Sequence, residues 1–400
     1  MTIDTNQQDR THSTYAHIVF IIILSALMAF TSLSTDIYLP AMPIMAKELN
    51  GNAELTVTGF LIGFAIAQLV WGPISDSIGR RKPLFIGMLV FVVGSVGCAL
   101  AQSMEQIIFW RVFQAFGACT GPMLSRAMIR DLYSRTQAAQ MLSTLVMVMA
   151  VAPIIGPLLG GQIIHFSTWH AIFWLLAGIG LLMFLSIFKL PETLSKENAA
   201  SSSLLSALRN YATLMKNREF MRYTLCVTFY YVAAYGFIIG SPFVYINFFG
   251  VNYQYYGYLF GLNVVGVMVV SYFNRFLLSR YSMDLLLKLS TAAAFLATVA
   301  LSLAVYSGAA SLIFVIVTVF VFFSLNGIIA ATATAAALDE LKTAGSASAL
   351  IGSLQYGSGI ISSLLLTVFR DGTPWPMAWI MTLFTFACMA TVLFKPRQQD

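Results

Sequence analysis

The sequence predicts an all-α protein that crosses a membrane twelve times, with its helices divided into two bundles of six. Three observations carry this prediction. Hydrophobic residues make up 58% of the 400 positions and charged residues only 10%, against about 25% charged residues in a typical soluble domain. The apolar residues group into stretches of roughly 20, the length that an α-helix needs to cross a hydrocarbon core of about 30 Å. A polar segment separates six such stretches from six more.

The apolar stretches, called helix one to helix twelve, are the predicted membrane spans. No small-residue cleavage site follows helix one, so we expect it to stay in the protein rather than leave as a signal peptide. The four cysteines fall inside the stretches without ligand-like spacing, which favours buried thiols and predicts no metal site. The stretches lie near 17–41, 55–75, 84–102, 106–128, 138–162, 169–189, 220–247, 256–276, 285–306, 311–337, 346–368 and 375–394.

Positive charges are unequally distributed between the two sides of the predicted membrane protein. Lys and Arg accumulate in short cytoplasmic loops. If both termini are cytoplasmic, only Lys47 and Arg370 lie outside the helices on the opposite side. This topology accounts for the net charge of +6. It predicts contact with a lipid bilayer and no nucleic-acid partner.

The polar segment between the two sets of helices predicts a linker. Its stretch LLSALRNYATLM can form an amphipathic helix at the inner membrane surface. The predicted domains are an N-terminal bundle over 14–190, a cytoplasmic linker over 191–218 and a C-terminal bundle over 219–396. Helix five (VAPIIGPLLGG) and helix eleven (IGSLQYGSGI) are expected to be interrupted by Gly or Pro, and such paired interruptions indicate a transport pathway.

Two ionisable residues are predicted to lie at membrane depth, where a charge is costly and by default marks function. Asp36 is the only charge of helix one. Pro40 and Pro43 should end that helix, which puts Asp36 about 6–10 Å from its outer end. Arg111 lies about 9 Å into helix four by the same rise per residue. The two depths therefore match.

The loop between helices two and three reads GPISDSIGRRKP. Gly72 and Gly79 allow a tight turn, Asp76 can accept hydrogen bonds, and Arg80 and Arg81 place cations at the membrane surface. A charged cytoplasmic turn is the simplest interpretation of this loop.

By its position and residues, this loop resembles the signature loop of the major facilitator superfamily, whose aspartate and arginines help to latch the two bundles together at the cytoplasmic side. Three more strings extend the resemblance: DIYLPAMP on helix one, WRVFQAFGACTG on helix four and VAPIIGPLLGG on helix five. The helix-one string is similar to the twelve-helix drug-antiporter branch, in particular its Bcr/CflA group of bicyclomycin and chloramphenicol exporters. The helix-five string is similar to the motif of proton-driven drug antiporters, and the helix-four string resembles the family string that carries an intramembrane arginine. The matching antiporter-motif residues are Pro153, Gly156, Pro157, Gly160 and Gly161.

The resemblance implies a multi-pass protein of the bacterial inner (cytoplasmic) membrane that acts as a monomer and needs no cofactor beyond the proton gradient. It also makes helices one and four neighbours, so Asp36 and Arg111 can form an ion pair. A static pair that neutralises two buried charges is one interpretation. The other is that Asp36 takes a proton from outside and releases it inside. Competition between drug and proton would then yield antiport.

The second half of the chain offers aromatic and amide groups and no charge in the middle of its helices. Tyr231 and Tyr235 share one face of helix seven at i, i+4. Each residue alone has an equally good interpretation as interhelical packing, but the set suits an amphipathic compound in an apolar cavity. The predicted substrate-binding residues are Ser32, Asp36, Arg111, Gln114, Tyr231, Tyr235, Asn263, Asn326 and Gln355.

Other classes of protein fit less well. No GxxxxGK[ST] loop indicates an ATP-driven pump, and no nucleophile and base indicate an enzyme. A proton-coupled importer of a small nutrient remains the alternative, although the helix-five motif favours export. Certain relatives carry a second acid where this chain has Met28 and Ala29, so the resemblance favours neutral or zwitterionic drugs over cationic ones.

Overall fold

The computed structural model describes residues 5–194, 204–339 and 344–393, and its regular structure within those residues is entirely helical. Besides the α-helices there are two 3₁₀ turns, Leu39–Ala41 and Ile187–Lys189, and a π-helical segment, Phe243–Phe248. The α-helices are α1 Thr5–Asp36, α2 Met42–Glu48, α3 Glu54–Ile78, α4 Arg81–Ala99, α5 Met104–Ala118, α6 Thr120–Leu132, α7 Arg135–Phe166, α8 Trp169–Ser186, α9 Leu204–Lys216, α10 Arg218–Pro242, α11 Tyr253–Leu278, α12 Met283–Tyr306, α13 Leu312–Ser324, α14 Asn326–Leu338, α15 Ala344–Val368 and α16 Trp375–Leu393.

Eleven helical units among the described residues are long and apolar enough to cross a membrane. The predicted helix four is not among these eleven, and it is broken at Cys119 into α5 and α6. Helix ten is also broken, at Leu325 between α13 and α14. The all-α architecture of two six-helix bundles predicted from the sequence is confirmed.

The predicted interruptions of helices five and eleven are wrong, because α7 and α15 each run as one continuous helix. Proline is tolerated inside membrane helices when neighbours satisfy the freed backbone groups, and α7 continues through Pro153 and Pro157. Its glycines serve close packing instead. A side chain at Gly160 would overlap the carbonyl oxygen of Ile37 in the first span.

The two broken helices occupy equivalent places in the two halves, and a hydroxyl group binds the backbone at each break. Pro122 has no N–H to donate to the carbonyl of Ala118, and that carbonyl accepts a hydrogen bond from Thr31 Oγ1 of helix one at 2.9 Å. In the second half, Tyr230 of helix seven donates to the carbonyl of Phe322 at 2.9 Å. In both halves, therefore, a hydroxyl group of a neighbouring helix binds a backbone carbonyl at the helix break, although the residues differ.

The first span extends beyond the prolines that were expected to end it. After α1 ends at Asp36, the 3₁₀ turn and α2 continue the span from Ile18 to Glu48. Twelve residues separate Asp36 from Glu48, which is about 18 Å of helix, so the predicted depth of 6–10 Å was too shallow. Pro40 interrupts the hydrogen bonding without ending the span.

The two bundles meet through α3 with α15 and α7 with α11. We call the face where α1 begins and α16 ends the inner face, following the predicted orientation, and the opposite one the outer face. Within the described residues, every side-chain hydrogen bond between the bundles joins the stretch 52–65 to the stretch 353–370. These stretches occupy the outer and central parts of α3 and α15, so the outer ends of the bundles are in contact.

Candidate transport site

Asp36 is the last residue of α1 and only 8% of it is exposed. Its helix ends here because Pro40 cannot donate a hydrogen bond to the Asp36 carbonyl four residues earlier. Gly156 of α7 lies directly against this segment, since a Cβ there would be 3.4 Å from Asp36 Cβ. The helix-five motif therefore packs on the backbone that carries the buried carboxylate.

Arg111 lies inside the first bundle with no exposed surface. Its guanidinium carbon is 4.3 Å from the ring centres of both Tyr38 and Phe60, and cation–π contacts of this kind stabilise a desolvated arginine by about 2 kcal/mol. Nη1 donates to the carbonyl of Ser34 at 3.2 Å and to Gln114 Oε1. Gln114 in turn donates to Ser95 Oγ at 2.7 Å.

The expected contact between Asp36 and Arg111 is not formed. Among the described residues the pair does not come within ion-pair distance, although the two side chains interact electrostatically. Aromatic faces and neutral acceptors hold the guanidinium instead, and its Nε and Nη2 atoms have no hydrogen-bond partner. Arg111 and Gln114 are fully buried, so no substrate reaches them in this conformation.

Three tyrosines of the second half of the chain lie near Asp36. Tyr235, Tyr256 and Tyr356 all lie within electrostatic range of its carboxylate. The predicted pair of Tyr231 and Tyr235 has ring centres 6.2 Å apart. Tyr256 and Tyr356 were not predicted from the sequence, and the only signal for Tyr356 was its position next to Gln355 in the glycine-rich string of helix eleven.

The predicted polar residues differ in how free their side chains are. Asn263 is 3% exposed and donates to the Leu259 carbonyl of its own helix at 3.0 Å, so its amide is already used. Asn326 lies beside Tyr231 at the break of helix ten, and its Oδ1 is buried without a hydrogen-bond partner. Ser32 and Gln355 are half-buried. Asn326 therefore keeps an unpaired amide oxygen beside the tyrosines of helix seven.

The loop between α3 and α4 is organised by Arg80. Its side chain donates to Asp76, to Ser75 Oγ at 2.9 Å and to Asp131 Oδ2 at 2.9 Å. Burial alone would lower the pKa of Arg80, but hydrogen bonds and charges from Asp131 and Asp76 raise it. The expected latch between bundles is not formed by these contacts, because all the partners belong to the first half of the chain.

Glu192, at the start of the linker, completes this loop and was missed by the sequence analysis. It accepts hydrogen bonds from the backbone N–H groups of Arg80 at 2.8 Å and Arg81 at 3.1 Å. Burial raises the pKa of Glu192, but backbone donors outweigh burial and lower it overall. Gly79 turns the chain at φ 96°, and a Cβ there would be 2.5 Å from Glu192 Oε2. The predicted turn role of Gly72 is wrong, since Gly72 lies inside α3.

A helical membrane protein with two bundles, broken helices and a buried acid facing the opposite bundle has the structure of a secondary transporter. The chain belongs to the Major Facilitator Superfamily, whose sequence pattern matches residues 23–363. It is 35% identical to the MFS-type transporter YdgK of Bacillus subtilis, with 93% of each chain covered. It is 32% identical to a bicyclomycin resistance protein homolog of Haemophilus influenzae, covering 91% of this chain and 92% of the relative.

A third relative is multidrug resistance protein D of Escherichia coli, 28% identical over 88% of this chain and 89% of the relative. Among solved structures, the partially occluded inward-open xylose transporter XylE from E. coli has a TM-score of 0.73 at 13% identity, with 96% and 98% of the two chains covered. That likeness concerns the fold alone. The resemblance to the Bcr/CflA group is confirmed, as is the prediction that the chain is a transporter and not an enzyme.

Proposed function

We propose that the protein is a proton-coupled antiporter that exports amphipathic, neutral or zwitterionic drugs from the cytoplasm or inner leaflet of the bacterial inner membrane. The observation that carries this proposal is the position of Asp36. It is a buried carboxylate at a break in the first span, it packs against Gly156 of the helix-five motif, and three tyrosines of the opposite bundle lie within range of it.

Relatives that bear the names bicyclomycin resistance protein homolog and multidrug resistance protein D support drugs as the substrate class. The side chains at the site also favour drugs as the substrate class. Tyrosine rings give apolar surface with a hydroxyl at the edge, and Asn326 Oδ1 is an unpaired acceptor in the same wall. A medium-sized compound with few polar groups suits these walls better than a sugar, which needs many hydrogen bonds.

The proposed exchange of drug for proton depends on whether Asp36 is ionised or protonated. Removing a carboxylate from water disfavours its charged form, while the nearby positive charge of Arg111 favours it. Closing the bundles around Asp36 therefore favours the protonated form, and opening the site to water allows release. A drug that occupies the cavity competes with this protonated, empty state. The proton gradient is the only energy source that the mechanism requires, and one monomer with both termini in the cytoplasm suffices.

The test is Asp36→Asn, measured as drug-induced proton movement and drug efflux in inside-out membrane vesicles. We expect the variant to lose proton movement and to confer no more drug resistance than cells without the transporter. Glu105→Gln is the control, because Glu105 is a solvent-exposed acid at the start of α5. Proton-coupled efflux that persists in Asp36→Asn would contradict the proposal, and drug-independent nutrient uptake would favour an importer.

A further inference from the structure

A second buried acid lies at the outer end of the interface between the bundles. Glu54 is the first residue of α3 and is 3% exposed. Its backbone carbonyl accepts a hydrogen bond from Ser363 Oγ of α15 at 2.7 Å, and Ser363 Oγ accepts one from Thr58 Oγ1 at 2.5 Å. The residue is therefore fixed at the seam where the two halves of the chain meet.

The Glu54 carboxylate has few partners for a buried charge, and one of them is its own backbone N–H at the start of α3. Its Oε2 atom is buried and has no hydrogen-bond partner. The nearest cation is Arg370 of the second half, whose Nη1 is 3.9 Å from Oε2. The Arg370 side chain is 38% exposed, and ion pairs with an exposed, screened partner contribute little. Leaving an ionised carboxylate in this position is costly.

A cavity of about 70 Å³ beside Glu54 opens towards the outer face. Its volume is enough for water, since a cavity needs about 10–15 Å³ of such space to hold one molecule. The charged groups that line it with Glu54 are Arg370 and Asp371, and Asp371 accepts hydrogen bonds from Thr373 of its own loop at 2.7 and 2.8 Å. The other walls, which include Asn247 and Met377, are uncharged. Water, and with it a proton, therefore has a route to Glu54 from outside.

We propose that Glu54 is a second proton-binding site, loaded from the outer side, whose neutralisation allows the outer ends of the bundles to close. When the bundles separate, Glu54 is hydrated and its ionised form is favoured. When they close, the carboxylate is buried with one free oxygen and a distant cation, so the protonated form is favoured. By linkage, a proton that binds more tightly to the closed form shifts the equilibrium towards closure.

This inference rests on the alternating-access part of the proposed function but not on proton exchange at Asp36. The two groups are separate, because Glu54 lies at the outer seam and Asp36 lies about 18 Å into the first span. Asp36→Asn therefore serves as the background for the test, since any remaining pH response of the outer face cannot come from Asp36.

The experiment measures the distance between spin labels on two exposed outer loops, at Gln102→Cys and Ala309→Cys, with the four buried native cysteines replaced. The full chain carrying Asp36→Asn is studied in lipid nanodiscs between about pH 5 and 9, which spans the range of shifted carboxyl groups. We expect the short, closed distance to gain population as the pH falls. Adding Glu54→Gln should keep the closed distance at every pH, because the amide imitates the neutral acid.

A second variant keeps Glu54 intact. Arg370→Gln removes the cation that lies 3.9 Å from Glu54 and favours its ionised form, so it should move the transition to higher pH by a few tenths to about one unit, the size expected for a screened pair. Glu105→Gln, the exposed control acid, should leave the transition unchanged. The proposal is overturned if Asp36→Asn shows no transition, if Glu54→Gln leaves it in place, or if Arg370→Gln moves it to lower pH. Retained proton-coupled efflux in Asp36→Asn would contradict only the proposed antiport.

Discussion

Arg111 illustrates how a charge can be kept inside a membrane protein without a counter-ion in contact. Two aromatic faces at 4.3 Å and two neutral acceptors surround the guanidinium. An arginine held in this way keeps its positive potential at a fixed position, whereas a contact pair with Asp36 would cancel it. Because the carboxylate is not bonded to the guanidinium, the proposed proton exchange at Asp36 does not require an ion pair to break.

Gly160 gives the sharpest prediction at the residue scale. Gly160→Ala would place a Cβ on the carbonyl oxygen of Ile37, so α7 would have to move away from the segment that carries Asp36. Such overpacking costs about 1–3 kcal/mol. We expect a lower thermal unfolding temperature in detergent together with weaker drug resistance.

Gly178→Ala is the matched control for Gly160→Ala, because nothing lies within 4 Å of the position where its Cβ would be. It should unfold and transport like the unchanged protein. Equal behaviour of the two variants would show that close packing of α7 on the first span is unimportant.

At the scale of elements, the broken helices were the least predictable feature. Glycine and proline in helices five and eleven predicted breaks there, yet the breaks fall at Cys119 and Leu325. A proline shows only that one hydrogen bond is missing. Whether the helix breaks depends on a partner for the freed carbonyl, and for Ala118 that partner is Thr31, 87 residues earlier in the chain.

The helices and the buried charges were predictable because both follow from the cost of polar groups in lipid. Asp36 and Arg111 stood out for that reason, and Tyr231 and Tyr235 were found from helical spacing. Tyr256 and Tyr356 were not found, since their proximity to Asp36 depends on how the two bundles pack against each other. Glu54 was missed because it begins a helix, where an exposed acid is ordinary.

The loop held by Glu192 gives a prediction about one element. Glu192→Gln would weaken the hydrogen bonds to the N–H groups of Arg80 and Arg81. Hydrogen bonds to a buried charge contribute about 1.5–3 kcal/mol, but this carboxylate is mostly exposed, so we expect a loss of about 1 kcal/mol. The thermal unfolding temperature should fall, and Asp339→Asn, at another exposed acid of the inner face, should not change it.

The same carboxylate predicts a pH dependence. Backbone donors lower the pKa of Glu192 in the folded protein despite its burial, so its contribution is complete above the unfolded pKa and is lost as the pH falls through the lower, folded value. The difference in unfolding temperature between the unchanged protein and Glu192→Gln should therefore be constant near neutral pH and shrink below about pH 4. A difference that grows with acidity would contradict this assignment.

At the scale of the whole molecule, the side-chain hydrogen bonds between the bundles, among the described residues, form one seam. Polar groups of α3 and α15 interlock along it, from Glu54 with Ser363 at the outer end to Ala65 with Ser353 near the centre. Transport by alternating access requires this seam to open. Besides these hydroxyl contacts, the seam contains the ring pair Phe64 and Tyr356, whose centres are 4.1 Å apart, so opening it must separate both polar and aromatic contacts.

Locking the seam should therefore stop transport. Thr58 and Ser363 have hydroxyl oxygens 2.5 Å apart across the bundles, so the pair Thr58→Cys and Ser363→Cys is close enough for a disulfide. In a chain whose native cysteines are replaced, oxidation should abolish drug efflux and a reductant should restore it. Ser302→Cys with Thr382→Cys is the matched control, since these hydroxyls are 2.8 Å apart within the second bundle and their disulfide leaves the seam free. Efflux that survives complete cross-linking of residues 58 and 363 would mean that the drug leaves by a path that does not need this seam to open.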